Sequence, residues 1–148
     1  MSHFNPTGSQ KIALDTYIKL MRASNVVTNA IHRHLLDDKL THSQFAVLEA
    51  LNHLGPLSQG ELSNKVLKSN ANLTTVVDSL EKKDLVVRQR SAEDRRCVTV
   101  DLTATGTQLI QEIFPRHVDV VARRFSILSE KEQNQLAALL KKLGKESS

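Results

Sequence analysis

The sequence predicts a mostly helical fold of α+β type. One short β-hairpin follows a run of three helices, and long amphipathic helices stand at both chain ends. Three observations carry this. Apolar residues recur at spacings of three and four through most of the 148-residue chain. One segment breaks that rhythm: Val86-Val87-Arg88-Gln89-Arg90 and Cys97-Val98-Thr99-Val100-Asp101-Leu102 are rich in β-branched residues, and Val98, Val100 and Leu102 share a face at period two. Five glycines and three prolines are too few for an all-β fold with many turns.

The elements follow in order. From about Ser9 to Asp38, Leu14, Ile18, Met21, Val27, Ile31 and Leu35 form the stripe of one amphipathic helix. At about 30 residues it is longer than a compact chain of this size needs, so part of it is expected to pack on another chain. Thr41 stands three residues before Gln44, a capping box, and Phe45, Leu48, Leu51 and Leu54 give the stripe of the next helix. Gly55-Pro56 stops it. Ser58 and Glu61 repeat the box and open a short helix with Leu62 and Val66 inward. Ser69 caps a third helix, to about Lys83, on Leu73, Val76, Val77 and Leu80. The hairpin has a charged tip, Ser91-Ala92-Glu93-Asp94-Arg95. Thr103 caps a helix with Leu109, Ile110, Ile113 and Phe114 apolar, and Pro115 is expected to kink it or end it at the residue before. Val118, Val121, Phe125 and Leu128 resume the stripe. Ser129 and Glu132 make a third capping box, Leu136, Leu139, Leu140 and Leu143 line the last helix, and Gly144 ends it. The organisation expected is one domain over residues 1–148, with helices 9–38 and 104–148 flanking a central part, 41–103.

Composition narrows the function. A lone cysteine, Cys97, forms no internal disulfide, and Met1 to Gln10 has neither the basic nor the apolar part of a secretory leader. No apolar run reaches membrane-spanning length. A cytoplasmic protein without a membrane role is expected. Twenty basic residues against sixteen acidic give a net charge of +4, which permits a polyanionic partner. The basic residues cluster: residues 41–64 hold no Lys or Arg, whereas 65–96 hold Lys65, Lys68, Lys82, Lys83, Arg88, Arg90, Arg95 and Arg96. Four Phe, one Tyr and no Trp offer few rings for stacking bases, which disfavours single-strand and RNA readers.

A short helix before a polar-faced helix follows helix-turn-helix logic, and a basic hairpin directly after it makes the winged variant. On the 69–83 helix the outward positions are Ser69, Asn70, Asn72, Thr74, Thr75 and Ser79. Solvent faces favour Glu, Lys and Gln, so small polar residues that weaken a helix point to close approach to base edges in a major groove.

Four segments carry a family resemblance over nearly the whole chain. They are Leu40-Thr41-His42-Ser43-Gln44-Phe45-Ala46-Val47-Leu48, Leu57-Ser58-Gln59-Gly60-Glu61-Leu62, Asp94-Arg95-Arg96 followed by Val98-Thr99-Val100-Asp101-Leu102-Thr103-Ala104-Thr105-Gly106, and Leu128-Ser129-Glu130-Lys131-Glu132. The third is similar to a wing pattern of D-x-R, an alternating strand, then L-T-x-x-G. In these segments the chain resembles the MarR-type winged-helix transcriptional regulators. The resemblance implies a homodimer joined by the terminal helices, a palindromic double-stranded DNA operator, and repression relieved by a small ligand. The DNA contacts expected are Ser58, Gln59, Ser69, Asn70, Asn72, Thr74, Thr75, Arg88, Arg90, Asp94, Arg95 and Arg96, of which Asp94 and Arg96 match the family's wing acid and arginine. Two departures stand out. Asp84 occupies a position where the family commonly has Gly, and Thr75 one where many members carry Arg. The resemblance also implies a cleft between dimer helices and winged part. Tyr17, Met21, His32 and Phe45 are the candidate lining, suited to an aromatic or phenolic anion.

Other constellations read more plainly. His32 and His34 point about 200° apart on a helix and cannot share an ion, and His42, His53 and His117 are dispersed, so no metal or other cofactor is expected. Peroxide-sensing relatives carry their cysteine in the first helix, which has none here, and Cys97 reads as a strand residue. No catalytic triad order, phosphate loop or metalloprotease helix occurs, so no enzyme is expected, and Asp37-Asp38 reads as a solvent pair. The alternatives are a metal- or redox-responsive regulator of the same fold, a ligand-sensing dimer with weak DNA binding, or a helical protein-interaction module.

Overall fold

The computed structural model describes residues 3–66, 70–94 and 96–145, with the backbone alone for Asn70 and Ala71. In chain order the elements are α1 (Gly8–Leu36), α2 (His42–Leu54), β1 (Leu57–Ser58), α3 (Gln59–Val66), α4 (Asn70–Lys82), β2 (Val86–Arg90), β3 (Val98–Leu102), α5 (Ala104–Phe125) and α6 (Glu130–Leu143). The mostly helical winged architecture is the one expected. Ser69 and Arg95 lie outside the described residues. The chain forms two compact units, one of residues 32–120 and one of the chain ends, within 1–31 and 121–148.

In the central unit, Phe45, Leu48 and Leu51 of α2, Leu62 of α3, Leu73, Val77 and Leu80 of α4, Val100 of β3, and Ile110 and Ile113 of α5 make one buried core. Each such side chain contributes about 1.5–3 kcal/mol of burial. Leu54, expected in that stripe, is instead exposed. It lines an open hollow with Ala50, His53 and Lys65, because the eight-residue α3 is too short to cover the end of α2.

The sheet has three antiparallel strands in the order β1-β3-β2, not two. Val100 is the centre: Leu57 of β1 and Arg88 of β2 flank it. β1 is two residues long and exists only through this pairing.

Two helices end in left-handed corners without glycine. Leu85 N–H bonds Leu80 O at 3.0 Å and Asp84 N–H bonds Glu81 O at 2.9 Å, with Asp84 at φ 59°. Leu40 N–H bonds Leu35 O at 3.2 Å and Lys39 N–H bonds Leu36 O at 3.0 Å, with Lys39 at φ 57°. Both are Schellman closures, with a buried leucine pair at each. Asp84 thus takes up the backbone shape that glycine adopts without strain, which a short polar side chain tolerates.

Pro115 does not end α5, which runs on to Phe125. Pro115 and Gln111, the residue whose carbonyl loses its helical donor, are both exposed, so water can take that carbonyl.

In the unit of the chain ends, Ser129 and Glu132 exchange capping bonds of 3.0 and 3.1 Å, and Gln133 Nε2 donates to Phe125 O and Leu128 O. No residue of α6 is buried. Leu139, Leu140 and Leu143 are exposed, as are Ile12, Leu14, Tyr17, Ile18 and Met21 of α1. Apolar stripes left open in this way mark an interaction surface. No described helix is long and apolar enough to cross a membrane.

Candidate nucleic-acid interface

The interface is built from α3, α4 and the β2–β3 wing, all in the central unit. Ser58 opens α3: its N–H donates to Glu61 Oε1 at 3.1 Å, and Glu61 N–H donates to Ser58 Oγ at 3.2 Å. The Ser58 backbone N–H, then the Ser58 side chain, hold the Glu61 carboxyl below the ordinary carboxylate range. Gln59 Nε2 donates to Thr74 Oγ1 at 2.6 Å, tying the start of α3 to α4. Two expected DNA contacts are thereby joined to each other.

On α4, Leu73, Val77 and Leu80 turn into the core. Asn72 and Thr75, three residues apart, share an exposed face. Thr74 lies to one side of it, toward Gln59.

Arg88 is turned onto α4. Its guanidinium reaches Asp78 Oδ1 at 2.7 Å and also pairs with Glu81 Oε1, both on α4, and its side chain is only 23% exposed. These ion pairs brace the wing against α4. Arg90 pairs in register with Val98 on the wing and is exposed.

At the wing tip Asp94 and Arg96 are paired. Asp94 Oδ1 accepts the Arg96 N–H at 3.0 Å and Arg96 Nε at 3.3 Å. Cys97 N–H bonds Asp94 O at 2.9 Å, and Cys97 Sγ lies 3.8 Å from Asp94 Oδ2. The Arg96 backbone N–H, then its side chain, hold the Asp94 carboxyl below the ordinary range. The acid is thus a turn-former, and the Arg96 side chain remains 92% exposed.

The four candidate pocket residues are divided between the two units. Tyr17 and Met21 are exposed in the unit of the chain ends, where Tyr17 lines an open apolar hollow with Phe4, Pro6 and Leu14. His32 is exposed in the central unit. Phe45 is a core residue, 2% exposed, with its ring centroid 4.5 Å from that of His117. Periodicity placed Phe45 on an apolar face but could not show how deep that face lies.

The fold does gather two histidines that the sequence left apart. His34 of α1 and His117 of α5 have ring centroids 5.7 Å apart, and His34 Nε2 and His117 Nδ1 are buried without a hydrogen-bond partner. Burial pushes both imidazoles below their ordinary pKa, with Arg116 adding to the effect at His34. Arg116 Nη2 also holds both oxygens of Asp38 at 3.1 Å, so Asp38 is an ion-pair partner and not a solvent residue. Among the described residues no three His, Cys, Asp or Glu side chains are grouped to hold a metal ion.

Comparison with known proteins agrees with this geometry. The sequence model of the MarR family matches residues 40–98. The chain is 34% identical over 132 residues to the HTH-type transcriptional regulator MhqR of Bacillus subtilis, across 89% of this chain and 91% of MhqR. Its fold is similar to that of Bordetella bronchiseptica BpsR, whose DNA binding is regulated by 6-hydroxynicotinic acid, with a TM-score of 0.82, 26% identity and 99% of each chain covered. It is also similar to Sco3205 of Streptomyces coelicolor in complex with DNA, with a TM-score of 0.82 and 23% identity over 96% of this chain and 89% of that one. A helix pair joined by Gln59 and Thr74, a wing closed by Asp94 and Arg96, and a full-length relative among these regulators lead to one conclusion: the chain belongs to the MarR family of transcriptional regulators.

Proposed function

We propose that a homodimer of this chain binds a palindromic operator in double-stranded DNA in the cytoplasm, represses transcription there, and is released by a small aromatic or phenolic acid. Its activity is binding, not catalysis. The observation that carries the reading is the exposed face of Asn72 and Thr75 on α4, with Arg90 and Arg96 on the adjoining wing. Small amide and hydroxyl groups at a helix surface suit base edges, whereas exposed guanidinium groups suit phosphates and the minor groove. Asn72 and Thr75 read bases in this account, with Ser69 and Asn70 as further DNA contacts. Gln59 and Thr74 hold α3 and α4 together. Arg90, Arg95 and Arg96 supply phosphate contacts, and Arg88 supports the wing.

Dimerisation uses the chain ends. The open stripes of α1 and α6 are of the kind that obligate dimers bury. The relation to BpsR favours an effector of the hydroxylated aromatic acid class. Effector binding weakens DNA binding and DNA weakens effector binding by the same factor.

The reading is tested by measuring Asn72→Ala and Thr75→Ala against an operator duplex and a scrambled duplex. Both changes are expected to narrow the gap between the two duplexes by about 1–3 kcal/mol per lost base contact. An unchanged gap in both variants removes α4 as the reading helix.

A further inference from the structure

Four capping boxes stand among the described residues, and one is unlike the others. In Thr7–Gln10, Ser58–Glu61 and Ser129–Glu132 the third residue is exposed. In Thr41–Gln44 it is a glutamine that is 7% exposed. Gln44 Oε1 accepts the Thr41 N–H at 3.0 Å and the Lys83 ammonium at 3.3 Å. Gln44 Nε2 donates to Ser79 Oγ at 2.9 Å, 35 residues away on α4. Lys83 Nζ also donates to Lys39 O at 2.8 Å, at the left-handed corner between α1 and α2. One buried amide thus joins the start of α2, the last turn of α4 and the residue after it, and Lys83 extends that join to the α1–α2 corner.

A buried amide is costly unless its groups are satisfied, and a satisfied polar network fixes one arrangement where an apolar contact would allow several. What this network fixes is the rotation of α4. Ser79 and Asn72 are seven residues apart and so lie on nearly the same side of the helix, with Thr75 between them. A rotation of α4 that broke the bond to Gln44 would swing Asn72 and Thr75 through the same angle. Lys83 is a cation beside the proposed groove helix, yet its ammonium is turned back into the fold.

We propose that Gln44 and Lys83 are positioning residues for operator recognition. Their clamp on α4 sets where Asn72 and Thr75 fall in the groove, and neither residue contacts DNA. This rests on the reading of α4 as the groove helix.

The test uses the full-length chain, an operator duplex from the DNA flanking its own gene, and a scrambled duplex of the same composition, across a salt series. Circular dichroism checks that each variant is folded. Lys83→Met and Gln44→Leu are expected to lower the operator-to-scrambled affinity ratio by about tenfold, comparable to a lost base contact, while scrambled-duplex affinity and salt slope stay at wild-type values. Gln44→Glu, whose carboxylate accepts from Thr41, Lys83 and the Ser79 hydroxyl, is expected to keep the ratio. If Gln44→Leu does not fold, Lys83→Met at its surface position decides alone. The proposal is overturned if Lys83→Met weakens both duplexes alike and lowers the salt slope by about 0.9 per lost contact, the signature of a phosphate ligand. It is equally overturned if the ratio is unchanged in Lys83→Met. A wild-type chain that binds both duplexes equally contradicts the underlying reading of α4, and the wild-type arm alone reveals that.

Discussion

Gly106, in the first turn of α5, lies directly against the backbone carbonyl of Leu85, the residue that closes the corner after α4. A Cβ at position 106 would overlap Leu85 O and come within 2.9 Å of Leu85 C. The approach is held in place by Thr103, whose N–H donates to Leu85 O at 3.1 Å and whose hydroxyl donates to Asp84 O at 2.6 Å. Gly106 N–H in turn donates to Thr103 Oγ1 at 3.0 Å. This is the physical content of the L-T-x-x-G pattern: α5 is seated on the corner that ends α4.

Gly106→Ala is therefore expected to destabilise the fold by about 1–3 kcal/mol or more, because the obstacle is backbone and cannot rotate away. Thermal unfolding measures it. An unchanged midpoint would show that α5 can shift freely from the corner.

Arg88→Ala removes the cation between Asp78 and Glu81 and leaves two carboxylates facing each other. The pair is partly exposed, so the expected loss is about 1 kcal/mol of stability. Salt dependence of DNA binding should not change. Arg90→Ala and Arg96→Ala should instead weaken operator and random DNA alike and flatten the salt dependence by about one per lost contact. A salt series over the three variants separates brace from phosphate ligands.

Asp94→Ala removes a negative charge near a polyanion, and simple electrostatics predicts tighter binding. The bonds from Asp94 to Arg96 predict the opposite, because the wing tip loses the group that shapes it. Weaker binding is expected, with Asp94→Asn intermediate because it still accepts the Arg96 N–H. Tighter binding of Asp94→Ala at every salt concentration would contradict the pairing role.

The fold should lose stability in mild acid. The folded His34 and His117 imidazoles sit below their ordinary value of 6.5, so the unfolded chain takes up protons first as pH falls. Their contribution is fully present above pH 6.5, declines as pH drops below it, and levels off once the folded groups also protonate. Thermal unfolding at pH 8 and pH 5.5 tests this, and His117→Phe should shrink the difference. An equal difference in wild type and variant would remove His117 as a cause.

Much of this was legible in the residues. The capping boxes, the stripes and the hairpin follow from local chemistry, and they place both wing strands and all the described helix ends but that of α5 to within a few positions. What was not legible depends on partners distant in sequence. β1 has no period of its own and forms because Val100 is beside it. Arg88 reads as one more basic residue until the fold turns it onto α4, and Gln44 reads as an ordinary cap until Ser79 arrives beside it. The depth of Phe45 in the core was not legible because a stripe shows direction and not depth. Pro115 left a kink or a stop open because sequence does not show that its lost bond falls on the solvent side.

The central claim is that the dimer reads a palindromic operator through α4 of each subunit. Footprinting full-length protein on the DNA flanking its own gene, at low and moderate salt, tests it most directly. The expected result is one protected palindrome with half-sites about 10 bp, or a multiple, apart centre to centre, and affinity that falls steeply with salt while the operator stays preferred over scrambled DNA. Uniform protection along the fragment, or none at low salt, would contradict it.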